Sequence, residues 1–285
     1  MKACPVCGLE DPEVSIRFKG YDYRRCRQCS LVFLDADTVL QNRDLYASDY
    51  IRKRGHDRMS SSIVKAKEKT AARYLSILER YTIKGQLLEV GCSTGATLKA
   101  AKEKGWKVYG VEVNETAAVL ARQFLNIETI KIGNLTKDLF QDKFFSAVLL
   151  FDVLEHISEP SNFIEILKNK LQPSGCLLII TPNISSLSAK ILKNSWPHLF
   201  LEHQCLYSPK SIRLLLEKYG FRILKLGWAI KFVSLDILRR HLECHPQIFL
   251  AQTVRMLWNK LGYLENLIFP FNIGEMYVLA QKYPL

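Results

Sequence analysis

Residues 87–98 read LLEVGCSTGATL, and this stretch limits the possible folds more than any other part of the chain. Leu87, Leu88 and Val90 suit a strand buried on both faces, while Gly91 and Gly95 permit a sharp turn in which the backbone closely approaches a ligand. A helical pattern resumes over residues 96–104. Strand, glycine turn and helix in that order form the unit with which a doubly wound sheet presents backbone N–H groups to a nucleoside. The next strand pattern, VYGVEVN, carries Glu112 at its end, roughly the 20 residues downstream at which a carboxylate meets ribose hydroxyls.

The turn departs from G-x-G-x-x-G, because Ser93 stands where a second glycine would let the chain hug a pyrophosphate. That points away from a dinucleotide and toward an adenosine cofactor without phosphates. Glu89, Gly91 and Gly95 spell E-x-G-x-x-x-G instead, which resembles the first motif of class I S-adenosylmethionine methyltransferases. The resemblance extends over about residues 60–285. It implies an α/β fold with a Rossmann-like, doubly wound, seven-stranded sheet and S-adenosylmethionine as cofactor. By that resemblance Glu89, Gly91 and Gly95 line the methionine end, with Cys92 in the same loop. Glu112 holds the ribose diol, and Asp152 borders the cofactor. Asn134, where the family carries Asp, meets the adenine amine through its amide oxygen.

The rest of the chain agrees with such a sheet. Strand patterns at 107–113, 128–132 and 145–151 alternate with helical ones at 115–124 and 162–170. Pro173, Ser174 and Gly175 read as a turn before a buried strand at 176–180. Ser208 and Pro209 open a helix as cap and first residue, and Gly220 closes it ahead of a strand at 221–227. A last strand falls at 275–281, so residues 232–273 form an insertion with amphipathic segments at 235–242 and 248–264. The insertion reads as a substrate lid or a homodimer surface, while Arg239, Arg240, Arg255 and Lys260 leave peripheral membrane contact open. An amphipathic helix at 60–81, with Ile63, Val64, Tyr74, Leu75 and Leu78 on one side, precedes the sheet.

Cysteines add a second unit. Cys4 and Cys7, then Cys26 and Cys29, form two C-x-x-C pairs at zinc-ribbon spacing, so four thiolates can complete a closed tetrahedral site. A closed site does no chemistry, and its expected work is to fold the first forty residues around a structural Zn²⁺. Cys92, Cys176, Cys205 and Cys244 show no pairing and read as ordinary reduced thiols. The expected organisation is a zinc ribbon at 1–45, a linker and helix at 46–82, and a methyltransferase domain at 83–285 with its insertion.

Charge bears on partners. Forty basic and twenty-eight acidic residues leave +12, concentrated between Arg52 and Arg73, which suits an anionic small molecule, nucleic acid or a solvated helix face. That basic run lacks the interleaved aromatics on which RNA bases stack, which disfavours nucleic acid. No apolar run is long enough to span a bilayer, and the first residues are not a secretory leader, so a cytoplasmic protein is expected.

On the acceptor side, FDVLEHISEP resembles the strand-four motif of ubiquinone-pathway O-methyltransferases, which turns Glu155 and His156 toward substrate; in some relatives this pair helps bind a divalent ion. Read plainly, His156 is a helix-edge histidine bonded to backbone. The segment WPHLFLEHQCLYSP is similar to the Glu-His segment of nucleotide-sugar C-methyltransferases, which makes His203 the expected base, Glu202 its orienting group and His156 the second choice. Tyr46 and Tyr50 read either as residues closing over the cofactor or as anchors for the ribbon. The expected activity is methyl transfer to a hydroxyl or carbon of a sugar, nucleotide sugar or phenol. An rRNA or tRNA methyltransferase and a non-catalytic zinc-dependent binding module are the alternatives.

Overall fold

The computed structural model describes residues 3–10, 12–35, 61–235 and 267–283. It begins with a small antiparallel meander of β1 (Glu13–Phe18), β2 (Tyr21–Arg25) and β3 (Val32–Leu34). Helix α1 (Ser61–Leu78) then leads into β4 (Gln86–Val90), α2 (Ala96–Glu103), β5 (Lys107–Glu112), α3 (Glu115–Leu125) and β6 (Ile130–Ile132). The second half carries β7 (Phe145–Phe151), α4 (Pro160–Lys170), β8 (Leu171–Pro182), α5 (Leu187–Leu192), β9 (Cys205–Leu206), α6 (Pro209–Lys218) and β10 (Phe221–Trp228). A hairpin of β11 (Lys231–Ser234) and β12 (Ile268–Phe271) precedes β13 (Glu275–Lys282).

Seven strands form the main sheet in the order β10-β13-β8-β7-β4-β5-β6, with β13 antiparallel to both neighbours and the others parallel. The central strands are apolar runs because helices cover both faces, so successive side chains drop into different cores. Leu88, Val148, Leu150, Leu177 and Ile179 pack with Ile164 and Leu167 of α4 and Leu215 of α6. Leu87, Ala147, Leu149, Leu178 and Ile180 pack on the other side with Tyr74 and Leu75 of α1, Ala101 of α2 and Ala118 of α3. In an open parallel sheet of this kind, ligands gather at the carboxyl ends of the strands. Here those ends carry Val90, Glu112 and Phe151.

Four elements differ from expectation. The turn at Pro173–Gly175 lies inside β8: pairing advances from Phe145 to Ala147 on β7 while it advances from Leu171 to Cys176 on β8, so the surplus residues bulge and Ser174 takes φ 60°. Turn chemistry thus kinks one ladder rather than ending it. Edge strand β6 keeps only three residues, and α4 starts at Pro160, whose fixed φ suits the first helical position. The ends of the insertion pair as β11 and β12, with Lys231 opposite Phe271 and Ser234 opposite Ile268. Its expected amphipathic interior, beyond residue 235 and up to residue 266, lies outside the described residues, as do Tyr46 and Tyr50. The cap at Ser208 is as expected. Its Oγ accepts from the Ser211 N–H at 3.1 Å while the Ser208 N–H donates to Ser211 Oγ at 2.8 Å. Among the described residues, no helix is long and apolar enough to cross a membrane.

Candidate active site

The glycine turn follows β4 directly. Gly91 has φ +72°, and a Cβ there would lie 2.6 Å from Val153 Cγ2, so the turn presses against the chain leaving β7. Gly95, at φ +85°, caps α2, and a Cβ would meet Leu125 and Ala121 of α3 at 3.0 and 3.2 Å. Between them Ser93 holds a left-handed φ of 48° and donates its backbone N–H to Glu112 Oε2 at 2.8 Å. Glu112 also accepts from the Asn114 N–H at 2.9 Å, so the carboxylate ties the turn to the end of β5. Cys92 turns the other way: a Cβ on Gly110 would stand 2.8 Å from its sulfur, and the thiol packs in the core beneath the turn. Left-handed strain and the clash with Val153 act together in Gly91→Ala, which is expected to lose about 2–4 kcal/mol of stability. Gly20→Ala, at φ +84° with open space around its Cβ position, isolates the strain. Urea midpoints of the two variants compare the losses, and equal shifts would remove the clash from the account.

Charge gathers around this turn. Glu89 is buried, and desolvation lifts its carboxyl to about 8 even though Thr97 and Lys67 favour the ionised form. Its Oε2 and the Ser93 hydroxyl have no partner among the described residues. Helix α1 contributes a stripe of Lys67, Thr70 and Tyr74: Thr70 Oγ1 accepts from the Phe232 N–H at 2.8 Å, and Tyr74 OH accepts from the Ile230 N–H at 2.8 Å. One turn further along that face, Lys67 comes under the charges of Asp152, Glu89 and Glu112, while burial lowers its pKa. Asp152, at φ 58° just past β7, receives Lys231 Nζ on both oxygens at 2.7 Å, and the same ammonium binds Glu275. Desolvation works against the Lys231 charge, and the two carboxylates overcome it and hold the pKa above its usual range.

A second cluster of titratable side chains lies beyond Asp152. Glu155 and His156 sit on a 3-10 turn (Leu154–His156), and His203 lies two residues before β9. Glu155 is buried and receives the Thr181 hydroxyl on Oε2 at 2.9 Å; desolvation, with the Asp152 charge behind it, raises its carboxyl to about 8. The two imidazoles meet edge to face with centroids 4.7 Å apart. His156 Nδ1 faces the Glu202 carbonyl at 3.0 Å, and His203 Nδ1 faces the His198 carbonyl at 2.7 Å. A carbonyl only accepts, so both Nδ1 atoms carry protons, and in the neutral form of each ring the lone pair is on Nε2. Glu202 therefore acts on His156 through its main chain. The orienting partner at Nδ1 of His203 is a carbonyl instead of the carboxylate expected at Glu202. Ligand atoms of Glu155, His156 and His203 lie within 4.8 Å of one another, close enough for one divalent cation.

The four cysteines converge beside the N-terminal meander. Cys4 and Cys29 sulfurs are 3.5 Å apart, Cys7 and Cys26 sulfurs 3.4 Å, and all four lie within 4.8 Å. A zinc tetrahedron with bonds of about 2.3 Å has sulfur–sulfur edges of about 3.8 Å, so the cluster fits Zn²⁺ with slight expansion. The hydrogen bond with the Cys29 thiol pulls Cys4 down to about 5 and pushes Cys29 up, while burial raises Cys7 to about 11, so without a metal the thiolate is favoured at Cys4 alone of these three.

The site thus brings together Glu89, Gly91, Gly95, Glu112 and Asp152, and separately Glu155, His156 and His203. Asn134 is exposed just past β6, beside Gly133, whose N–H donates to the Glu112 carbonyl at 2.9 Å. Sequence reasoning missed Lys67, Lys231 and Glu275. Lys67 was hidden in a basic run, although its i, i+3 and i+7 spacing with Thr70 and Tyr74 marks one helix face.

Comparison with known proteins places this geometry in context. A methyltransferase domain family matches residues 53–226, more than half of the 285-residue chain. A ubiquinone biosynthesis O-methyltransferase of Rickettsia akari is 27% identical over 119 residues, covering 41% of this chain and 46% of that relative. One from Coxiella burnetii is 25% identical over 163 residues, covering 52% and 68%. The chain spans under half the length of the first of these. Magnesium protoporphyrin IX methyltransferase from Synechocystis PCC 6803, solved with S-adenosylhomocysteine, superposes with a TM-score of 0.53 at 17% identity, over 86% of this chain and 99% of that one, a likeness of fold. With the family matched over the five parallel strands and the glycine turn, the chain belongs to the methyltransferase domain family, among the class I S-adenosylmethionine-dependent methyltransferases.

Proposed function

We propose that the protein transfers a methyl group from S-adenosylmethionine to a hydroxyl or acidic carbon of a small molecule, a sugar, nucleotide sugar or phenol, with His203 as base. The observation that carries this reading is the edge-to-face pair of His156, half-buried, and His203, buried, whose ring nitrogens stand beyond Asp152 on the acceptor side. Glu89, Glu112, Asp152 and the turn from Gly91 to Gly95 would hold the cofactor, and Asn134 would meet its adenine. The unpartnered Glu89 Oε2 and Ser93 hydroxyl suit a ligand bearing a cation and hydroxyls. The cofactor supplies an electrophilic methyl on a sulfonium, which an acceptor displaces in line. What the chain must add is alignment, exclusion of water and removal of the acceptor proton, and His203 Nε2 takes that proton. The relatives named as O-methyltransferases support a hydroxyl over a carbon as acceptor.

A structural Zn²⁺ on Cys4, Cys7, Cys26 and Cys29 completes the reading, with the division at residues 1–45, 46–82 and 83–285. The protein as purified is expected to hold one zinc per chain by elemental analysis, and its removal to unfold the meander. A metal-free protein with an unchanged circular dichroism spectrum would end the zinc assignment.

A second reading of the acceptor side is favoured by the convergence of Glu155, His156 and His203: a divalent cation bound there, polarising the acceptor oxygen. Glu155→Gln separates the two, since it removes the only anionic ligand and spares the base. The test of the main reading is methyl transfer from labelled S-adenosylmethionine into cell extract with and without nuclease. Label is expected in small molecules that survive nuclease. Label in a nuclease-sensitive polymer would replace this reading with an RNA methyltransferase, and failure to bind S-adenosylhomocysteine would leave the non-catalytic module.

A further inference from the structure

We infer that the cysteine-bearing meander is a positioning device for His203, with Tyr23 as its working residue; this rests on the reading of His203 as base. The small sheet has a fourth strand, and it comes from a segment about 170 residues later in the chain, past β8. β9 pairs antiparallel with β3, Val32 opposite Leu206 and Phe33 opposite Cys205, and the Leu34 N–H donates to the Gln204 carbonyl at 3.0 Å. Strand β9 begins two residues after His203, so the chain on the C-terminal side of that histidine is held by the meander.

Tyr23 fixes the other side. Residues 200–203 form a tight turn in which the His203 N–H donates to the Phe200 carbonyl at 3.0 Å. Tyr23 is fully buried, and its hydroxyl donates to the Phe200 carbonyl at 2.5 Å and lies 3.2 Å from the His203 carbonyl. One phenol therefore pins both ends of the turn that carries Glu202 and His203. Glu202 in turn offers its carbonyl to His156, so both imidazoles depend on this turn. The cysteine knuckles brace it from behind. Cys29 accepts a hydrogen bond from Ser208 through its carbonyl at 3.3 Å, and Cys4, Cys26 and Cys29 share one apolar core with Leu154, Cys205 and Tyr207. Leu154 begins the turn that bears Glu155 and His156.

The cofactor cradle is built mostly from other elements, β4, β5 and the loops after them, and Asp152, its one residue past β7, is held by Lys231. Loosening the 200–203 turn should therefore move the base and leave cofactor binding alone. Tyr23→Phe keeps the ring in its apolar cluster and removes only the donor. Its expected signature is a change in the His203 ring ¹⁵N shifts, away from those of a fixed Nδ1–H tautomer. With it, kcat falls about 10- to 100-fold, the cost of slight misplacement of a catalytic group. KM for S-adenosylmethionine and Kd for S-adenosylhomocysteine stay within about twofold of wild type. His203 signals identical to wild type would overturn the inference, and so would a parallel loss of S-adenosylhomocysteine affinity, which is the mark of general damage. Should the wild-type protein fail to bind S-adenosylhomocysteine, the proposed function fails while the His203 signals still decide whether Tyr23 positions the turn.

Discussion

His203→Ala is expected to lower methyl transfer by about 10²- to 10⁴-fold, the usual contribution of a positioned general base, with S-adenosylhomocysteine affinity within about twofold of wild type. The expectation follows from the hydrogen bond at its Nδ1. The His198 carbonyl at 2.7 Å requires a proton there, so in the neutral ring Nε2 holds the lone pair without any need for a carboxylate to choose the tautomer. A neutral imidazole so placed can take a proton from a phenol or from a carbon beside a carbonyl. Initial rates with labelled cofactor and calorimetric binding of S-adenosylhomocysteine check the two halves separately. A rate unchanged in His203→Ala would remove the base. A loss of affinity equal to the loss of rate would place the histidine in cofactor binding.

The second large effect concerns Glu89. Desolvation lifts this carboxyl to about 8, so the free protein holds it protonated at neutral pH, although the Thr97 hydrogen bond and the Lys67 charge pull the other way and the Glu112 charge adds to the rise. A folded pKa above the unfolded one means that the stabilising contribution is present at low pH and lost as pH rises. In the window from about 4.5 to about 8 the native state binds the extra proton, so stability falls by up to about 1.4 kcal/mol per pH unit. Glu155, raised likewise, contributes with the same sign. Cofactor binding has the opposite slope. A cationic ligand favours the ionised carboxylate, so affinity for S-adenosylmethionine should rise up to about tenfold per pH unit toward pH 8, with release of a proton. Calorimetry in buffers of different ionisation enthalpy counts that proton. Glu89→Gln should flatten the binding slope and leave the Glu155 part of the stability slope. A binding slope that persists in Glu89→Gln would place the linked proton elsewhere.

The sheet was legible because parallel strands buried on both faces leave long apolar runs, and LLEVG and FSAVLLF are hard to read otherwise. The glycine turn was legible because Gly91 and Gly95 answer to real crowding, from Val153 and from Leu125. Pro173–Gly175 shows the limit of local reading, since turn residues announce a kink but not whether the ladder resumes after it. β9 was beyond reach: two residues carry no periodicity, and only a partner strand makes Cys205 and Leu206 a strand at all. The same holds for Lys231, Asp152 and Glu275, whose meeting depends on three separate segments. Helical spacing in 60–81 contained the Lys67 stripe, but the density of basic residues around it left an anionic partner and a solvated face equally open. Glu202 and His203 were found as a pair by resemblance, while their division of labour, a carbonyl for His156 and a carbonyl from His198 for His203, depends on main-chain direction that no residue type encodes.

The pairing of β3 with β9 also sets an order of events during synthesis. Domains near the N-terminus ordinarily fold first as the chain emerges, because their contacts are complete within themselves. Here Tyr23 waits for Phe200, 177 residues later, and the small sheet lacks its fourth strand until most of the larger one has been made. Contacts of such long sequence separation form late, after the entropy of closing the intervening loop has been offset by other structure. Strands β1 to β3, made before the larger sheet, are therefore finished after most of it.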